Sequence, residues 1–228
     1  FIEKNLNLIL NDKIIPEWLE DNPMFPVLDM AAYASIIEKY KPKNIIEIGA
    51  GYSTNFSRLF TELLALDTSI IAIEPFPQKN LMTLGSENKI NLKKKRVQDL
   101  DEEELNQISE LKENDILFID TSHISNMGSD TNYIFLKILP MIKSGVIVHI
   151  HDIYLPYDYS SLVYYQRGTF YNEQYLLAAI LANSNSYTCL YSSNKVYIKN
   201  YSHLPKGPDN WVKPDKMRGG GSFWMQKN

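Results

Sequence analysis

The sequence predicts an α/β fold in which a mostly parallel sheet is covered by helices on both faces. Short apolar runs rich in β-branched residues alternate with segments of helical periodicity between residues 40 and 152. Strands joined by helical segments of about 10–15 residues are typical of right-handed βαβ units, which build parallel sheets. With 228 residues, of which 44% are hydrophobic, the chain is long enough for one large domain with its own core.

The individual elements follow from the periodicity of their apolar residues. Strands are predicted at 44–48, 69–74, 91–97, 115–120 and 145–150, and helices at 53–66, 78–88, 101–111 and 129–142. The core candidates of the last helix are Tyr133, Leu136, Ile138 and Leu139. Later in the chain, a helix is predicted at 172–181 and strands at 187–191 and 222–226. These two strands lack an obvious crossover helix and are expected to pair antiparallel. Residues 1–40 are predicted to form an N-terminal helical cap beside a domain at 41–228.

A glycine turn follows the first predicted strand and indicates a ligand site. Gly49 and Gly51 allow the backbone to turn sharply and approach a ligand, and Ser53 or Thr54 can cap the next helix. In open α/β sheets, ligands bind at the carboxyl ends of the parallel strands. Glu74 ends the next strand, where an acidic residue can hold both hydroxyls of a ribose.

Two residues in and beside this turn narrow the class of ligand. A dinucleotide site favours a third glycine where this chain has Ser53, which argues against NAD. Glu47 lies in an otherwise apolar strand, and a buried carboxylate needs partners. Those partners are either nearby backbone N–H groups or, through water, a cationic amino-acid ligand such as S-adenosylmethionine.

Residues 47–54 and the pair Ile73 and Glu74 resemble the first two motifs of the class I S-adenosylmethionine-dependent methyltransferases. The resemblance covers roughly residues 40–226. It implies a Rossmann-like, seven-stranded, mostly parallel sheet with an antiparallel last strand, and a methyltransferase domain at 41–228. It also implies that the turn contacts the methionine part, that Glu74 holds the ribose and that Gln98 and Asp99 lie near the adenine. The expected cofactor-binding residues are Glu47, Gly49, Ala50, Gly51, Ser53, Thr54, Glu74, Asp99 and Asp120.

Titratable side chains follow the fourth and fifth strands. Asp120 and His123 follow the fourth strand, and His151 and Asp152 follow the fifth. Adjacent parallel strands bring these ends to the same edge of the sheet, beside the glycine turn. Three interpretations stay open. His123 or His151 is a general base with Asp120 beside it, or Asp120, His151 and Asp152 bind a divalent metal ion, or the aspartates only cap loops. His149, within the apolar run, is predicted to be a core histidine.

The segments 118–123, 145–159, 171–175 and 219–224 together resemble a narrower bacterial group of methyltransferases linked with glycan-modifying enzymes. This resemblance suggests a hydroxyl acceptor such as a sugar. Tyrosines in the loop after Asp152 either line a sugar site or pack as an ordered loop; they are Tyr154, Tyr157, Tyr159, Tyr164 and Tyr165. Glu173 is interpreted as an acid that complements the dipole of the predicted helix at 172–181.

The prediction is therefore an S-adenosylmethionine-dependent methyltransferase that O-methylates a small-molecule or glycan hydroxyl. The alternatives are another enzyme on the same fold, either a polyamine synthase or an NAD-dependent oxidoreductase, or a non-catalytic binding domain. The net charge of −4 gives no reason to expect a nucleic-acid partner, and no apolar run is long enough for a membrane span. We expect a cytoplasmic protein whose single cysteine, Cys189, is a buried structural thiol. The chain begins with Phe1 rather than Met, which is compatible with a piece of a longer protein.

Overall fold

A central seven-stranded sheet organises the computed structural model, which describes residues 2–11, 14–20, 22, 24–159, 168–201 and 220–228. The strands lie in the order β3-β2-β1-β4-β5-β7-β6. Only β7 runs antiparallel to its neighbours β5 and β6, and the other pairs within the described residues are parallel. The predicted fold class is confirmed. The strands are β1 (Asn44–Ile48), β2 (Ser69–Ile73), β3 (Asn91–Lys93), β4 (Ile116–Ile119), β5 (Ile147–Ile150), β6 (Tyr187–Ser192) and β7 (Phe223–Lys227).

Helices precede the sheet and cover its faces. They are α1 (Glu3–Asn11), α2 (Glu17–Glu20), α3 (Val27–Tyr40), α4 (Tyr52–Leu63), α5 (Lys79–Ser86), α6 (Glu102–Ser109), α7 (Asp130–Tyr133), α8 (Leu139–Met141), α9 (Glu173–Ala182) and α10 (Ser193–Tyr201). The sequence analysis did not predict α10. The predicted strand at 91–97 is too long, because β3 ends at Lys93 and a 3-10 turn follows at Val97–Asp99.

Two apolar cores lie on opposite faces of the sheet because successive strand residues point to opposite sides. In β4, Ile116 and Phe118 belong to the core shared with α3 and α4, whereas Leu117 and Ile119 belong to the core shared with α6 and α9. His149 lies in β5 next to Phe118, with 3.7 Å between ring centroids, and is fully buried as predicted.

One predicted core residue faces solvent because of a change in helix type. The helical segment 130–141 contains a π-helical stretch, Ile134–Ile138, between α7 and α8. A π turn holds one more residue than an α turn and therefore rotates the following side chains around the axis. Leu136 is 77% exposed, whereas Ile138 and Leu139 are buried. The assignment of Leu136 to the core was wrong for this reason.

The carboxylate of Glu47 joins three elements inside the core. Glu47 is fully buried in β1 and accepts a hydrogen bond from Tyr33 Oη of α3 at 2.9 Å. It also accepts bonds from the hydroxyls of Ser53, Thr54 and Ser57 of α4, at 3.0, 2.6 and 2.9 Å. Burial raises the pKa of Glu47, and the four hydroxyls oppose that shift. The N-terminal helix α3 is thus fixed to the first strand by a buried polar contact.

Three further sequence predictions concern the single cysteine, a membrane span and the loop tyrosines. Cys189 is exposed on β6, so the prediction of a buried thiol was wrong; β6 is the outermost strand, where little packs on that position. Among the described residues, no helix is both long enough and apolar enough to cross a membrane. Tyr164 and Tyr165 lie outside the described residues.

The Glu47 contact predicts a stability change that depends on one hydroxyl. We expect Tyr33→Phe to lower the free energy of unfolding by about 1.5–3 kcal/mol, because a buried carboxylate loses one hydrogen-bond donor. The matched control is Tyr40→Phe, the same change at a half-buried position of α3 outside this contact, which should cost less than about 0.5 kcal/mol. Urea unfolding measures both. Equal losses in the two variants would contradict the role assigned to Tyr33.

Candidate functional site

The carboxyl ends of the central strands meet at one edge of the sheet, which we call the carboxyl rim. Backbone hydrogen bonds between adjacent strands continue to their ends and hold these ends side by side. Gly49 N–H donates to Ile73 O at 3.0 Å, and Asp120 N–H donates to Ile48 O at 2.9 Å. His151 N–H donates to Ile119 O at 2.9 Å. The glycine turn and the titratable residues predicted at this edge are therefore brought together.

The glycine turn lies directly against the end of β4. Gly49 has a φ of 81°, a left-handed conformation that favours glycine. A Cβ atom at this position would lie 1.6 Å from the carbonyl oxygen of Asp120. Only a residue without a side chain permits this approach, so the turn and Asp120 form one surface.

Glu74 follows β2 and touches the same turn. Its Oε1 accepts a hydrogen bond from the backbone N–H of Phe76 at 2.8 Å. Burial raises the pKa of Glu74, while the backbone N–H groups of Phe76 and Ala50 counteract the rise. Glu74 is half-buried at the rim, a position from which a carboxylate can bind the two hydroxyls of a ribose.

Glu47, Ser53 and Thr54 have a different environment from the one expected. The hydroxyls of Ser53 and Thr54 donate to Glu47. Thr54 Oγ1 also accepts from Gly51 N–H at 3.2 Å. Both oxygens of Glu47 are therefore bonded to hydroxyls of the protein, where the sequence suggested backbone N–H groups or a ligand. Glu47, Ser53 and Thr54 therefore support the glycine turn from its buried side.

The two polar residues after β3 differ in their availability. Asp99 is exposed and forms a two-point ion pair with Arg96, with both N–O distances at 2.8 Å. Gln98 donates to Gly128 O at 3.2 Å, and within the described part of the chain its buried amide oxygen has no hydrogen-bond partner. Gln98 is thus the better placed of the pair to accept a bond from a ligand amine, and Asp99 would first have to leave Arg96.

Six titratable side chains form a continuous charge network behind the rim; they are Asp29, Asp120, His123, His151, Asp152 and Glu173. His123 Nε2 lies 3.2 Å from Asp120 and 3.5 Å from Asp152, and its Nδ1 lies 2.9 Å from Glu173. His151 Nε2 lies 3.2 Å from Asp29, and its Nδ1 lies 3.7 Å from both Asp120 and Asp152. Carboxylates and imidazoles therefore alternate from α3 to α9.

The carboxylates keep both imidazoles protonated. Burial alone would lower the pKa of His123, but Asp120, Glu173 and Asp152 outweigh it and raise the pKa well above its usual range. For His151, burial is likewise outweighed by Asp120, Asp29 and Asp152, which raise the pKa to about 9. An imidazolium has no free lone pair, so neither histidine is poised as a base near neutral pH.

Two carboxylates of the network, Asp120 and Asp152, reach the surface of the rim, whereas its imidazoles do not. The side chains of Asp120 and Asp152 are 29% and 24% exposed, whereas those of both histidines are 6% exposed. The pKa of Asp120 is lowered: burial would raise it, but His151 and His123 outweigh that effect. Asp120 is therefore an anion that can contact a bound molecule.

The metal interpretation does not fit this arrangement. Among the residues that the structure describes, no three His, Cys, Asp or Glu side chains are grouped to hold a metal ion. Both ring nitrogens of His151 already face carboxylates, with Nε2 at 3.2 Å from Asp29 and Nδ1 at 3.7 Å from Asp120 and Asp152. No step is therefore assigned to a metal held by Asp120, His151 and Asp152.

Sequence reasoning missed two members of the network. Asp29 gave no signal, since it lies in an otherwise apolar helix. Glu173 opens α9 and was interpreted as a partner of the helix dipole, but its side chain is buried against His123. The only indication in the sequence was that segment 171–175, which contains Glu173, carried the narrower resemblance together with segment 118–123, which contains His123.

The tyrosine-containing loop packs against α9. Asp158 accepts a hydrogen bond from Tyr175 Oη at 2.6 Å, and Tyr154 N–H donates to Gln174 at 3.1 Å. The Tyr171 ring lies 4.7 Å from the ring of His123, and Tyr159 lies next to Tyr171 at 6.1 Å. The described part of the loop is therefore ordered, with an aromatic wall beside the charge network.

Comparisons with known proteins agree with this geometry. Residues 46–153, just under half of the chain, match a family model described as a methyltransferase domain. No curated protein matches the chain. The SAH-bound methyltransferase PaMTH1 of Podospora anserina is 15% identical with a TM-score of 0.52, covering 100% of this chain and 97% of that one. The plantazolicin methyltransferase BpumL, solved with a triazolic desmethylPZN analog and SAH, is 15% identical with a TM-score of 0.54, covering 100% and 90%. These structural likenesses show the fold.

The two glycines of the turn should respond differently to the same substitution. We expect Gly49→Ala to lower the free energy of unfolding by about 2–4 kcal/mol, because it combines a left-handed backbone with a clash against Asp120 O. Gly51→Ala meets no atom within 4 Å and should change stability by less than about 1 kcal/mol. Thermal and urea unfolding of both variants test this. A stable Gly49→Ala variant would refute the close approach of the turn to β4.

Proposed function

We propose that this chain is a class I S-adenosylmethionine-dependent methyltransferase that methylates a hydroxyl of a small-molecule or glycan acceptor; the domain match and the fold support this assignment. The observation that carries the proposal is the contact between Gly49 and Asp120. It joins the turn that binds the methyl donor to the charge network at the acceptor side. Donor and acceptor would therefore meet on one short stretch of the rim.

The donor lies across the glycine turn in this proposal. The backbone of residues 49–51 contacts the methionine part, and Glu74 binds the ribose hydroxyls at the end of β2. The unpartnered amide oxygen of Gln98 accepts a hydrogen bond from the adenine amine. S-adenosylmethionine carries a sulfonium and no phosphate, which suits a rim that presents Asp120 and Asp152 and not a nest of cations.

Asp120 accepts the acceptor's proton in this mechanism. The acceptor oxygen attacks the methyl carbon in line with the sulfur, the new C–O bond forms and the S–C bond breaks. The attacking oxygen becomes strongly acidic as the bond forms, so a carboxylate with a low pKa is a sufficient base. His123 and His151 hold Asp120 in place from behind. Positioning of the two reactants supplies much of the rate, and proton transfer adds to it.

The acceptor class rests on the aromatic wall. Aromatic faces stack on the apolar faces of sugars, and Tyr171, next to His123, and Tyr159 are both only half-buried. The similar structures leave the acceptor open, because BpumL was solved with a triazolic desmethylPZN analog. A panel of glycosides, phenols and amines with methyl-labelled S-adenosylmethionine tests the class. Labelling of amines alone would overturn O-methylation.

Donor binding should depend on Glu74. We expect calorimetry to show binding of S-adenosylmethionine and none of NAD, with Glu74→Ala weakening the former about 10- to 100-fold, because hydrogen bonds to a charged carboxylate are lost. The control is Glu110→Ala, an exposed glutamate after α6, which should leave the affinity unchanged. Binding of NAD with no heat from S-adenosylmethionine would favour the oxidoreductase alternative, and no heat from either would favour the binding domain.

Activity should not depend on a divalent metal. We expect labelled methyl transfer to the best acceptor of the panel to continue unchanged after dialysis against EDTA, because the imidazoles are paired with carboxylates. A loss of activity that added Mg²⁺ or Zn²⁺ restores would reinstate a metal at Asp120, His151 and Asp152.

A further inference from the structure

Glu173 is a fully buried carboxylate with an incomplete set of partners. Its Oε2 lies 2.9 Å from His123 Nδ1, and its buried Oε1 has no hydrogen-bond partner among the residues that the structure describes. An unpaired oxygen on a buried carboxylate is destabilising. The contact with His123 therefore does not by itself explain a glutamate here, and such a group calls for a further reason.

The first turn of α9 also holds the backbone of His123. The N–H groups of Asn172 and Glu173 both donate to His123 O, at 3.0 and 3.3 Å. The side chain of Asn172 accepts from Ser125 N–H at 2.6 Å, two residues further along. His123 has a φ of 59°, an uncommon left-handed conformation for this residue type. The start of α9 thus fixes His123 at its carbonyl oxygen and at its ring, and it also fixes the loop two residues further along.

We propose that Glu173 is a positioning residue for methyl transfer, which holds His123 so that Nε2 faces the rim carboxylates Asp120 and Asp152. The inference rests on the proposed function, because it concerns the group that receives the acceptor's proton. Glu173 has no contact with the acceptor in this scheme. It acts through His123 on Asp120, as the third member of an acid–histidine–acid series.

The bonds that break and form during methyl transfer define what Asp120, His123 and Glu173 must do. The acceptor O–H bond breaks as the C–O bond forms, and its proton moves to the Asp120 carboxylate. The electron pair of the S–C bond stays on sulfur, which turns the sulfonium into a neutral thioether. His123 keeps both ring protons and donates hydrogen bonds from Nδ1 to Glu173 and from Nε2 to Asp120, so the Asp120 carboxylate stays in place at the rim.

If Glu173 only complemented the helix dipole, its replacement would leave His123 and the rim unchanged. Two exposed acids, Glu102 and Glu103, occupy the first turn of α6, where the helix dipole is sufficient reason for them. Glu102 is therefore a matched control for Glu173: both begin a helix, but only Glu173 contacts a histidine. Glu102→Gln removes a dipole partner and nothing from the site.

The experiment compares Glu173→Gln and Glu102→Gln in the full chain with S-adenosylmethionine bound. Proteins labelled with ¹⁵N-histidine report the Nδ1–H signal of His123, identified by its loss in His123→Gln. We expect Glu173→Gln to shift that signal upfield, leave the donor Kd and the acceptor KM within about threefold, and lower kcat about 100-fold. The acceptor is the glycoside or phenol with the highest turnover in the panel. Glu102→Gln should change none of these values.

Two results would overturn the proposal. An unchanged His123 signal in Glu173→Gln would show that Glu173 does not set the imidazole, and this test needs no acceptor. A shifted signal with unchanged kcat would show that the contact only shapes the fold. Failure of the proposed function has a separate signature, because a wild-type protein that binds no S-adenosylmethionine would still give the histidine spectrum.

Discussion

A carboxylate that leaves water must find partners, and this constraint governs how the chain is assembled. Three fully buried acids, Asp29, Glu47 and Glu173, each draw their partners from other elements of the fold. Glu47 joins β1 to α3 and α4 through hydroxyls. Glu173 joins α9 to the loop after β4 through His123. Apolar packing alone would tolerate sliding between these elements, but hydrogen bonds to a fixed carboxylate set their relative positions.

Asp29 shows how the constraint brings both ends of the described chain to the site. It accepts bonds from the N–H groups of Gly221 and Ser222, both at 3.0 Å, and from Ser193 Oγ at 2.5 Å. A Cβ atom at Gly220 would lie 2.1 Å from Asp29 Oδ1, so the glycine-rich segment is needed for a close approach. The predicted cap thus contributes a charged residue to the network through His151.

Local patterns predicted most of the fold but not the pairing of distant acids. Alternation of apolar residues and the glycine turn placed the first five strands, because both signals lie within a few residues. Leu136 was misplaced because a π turn leaves no mark in a helical apolar pattern. Asp29 and Glu173 were missed for a related reason: each lies in a helical pattern, and its partner, 122 or 50 residues away, is set by the tertiary fold. Asp120, His123, His151 and Asp152 were found because parallel strands fix where their ends meet.

The composition of the charge network suits the proposed reaction, in which a sulfonium loses its positive charge and the acceptor hydroxyl releases a proton. Its carboxylates outnumber its imidazoles by four to two, so it favours a cation at the rim. In the proposed reaction the donor would bring a sulfonium, and transfer would turn it into a neutral thioether and leave a proton on Asp120. The positive charge of the donor and the negative charge of Asp120 would then disappear together, so the net charge at the rim would be the same before and after transfer. Alternation of acids with imidazoles thus serves both the buried carboxylates, which need partners, and the proposed chemistry, which needs a fixed anion beside the donor.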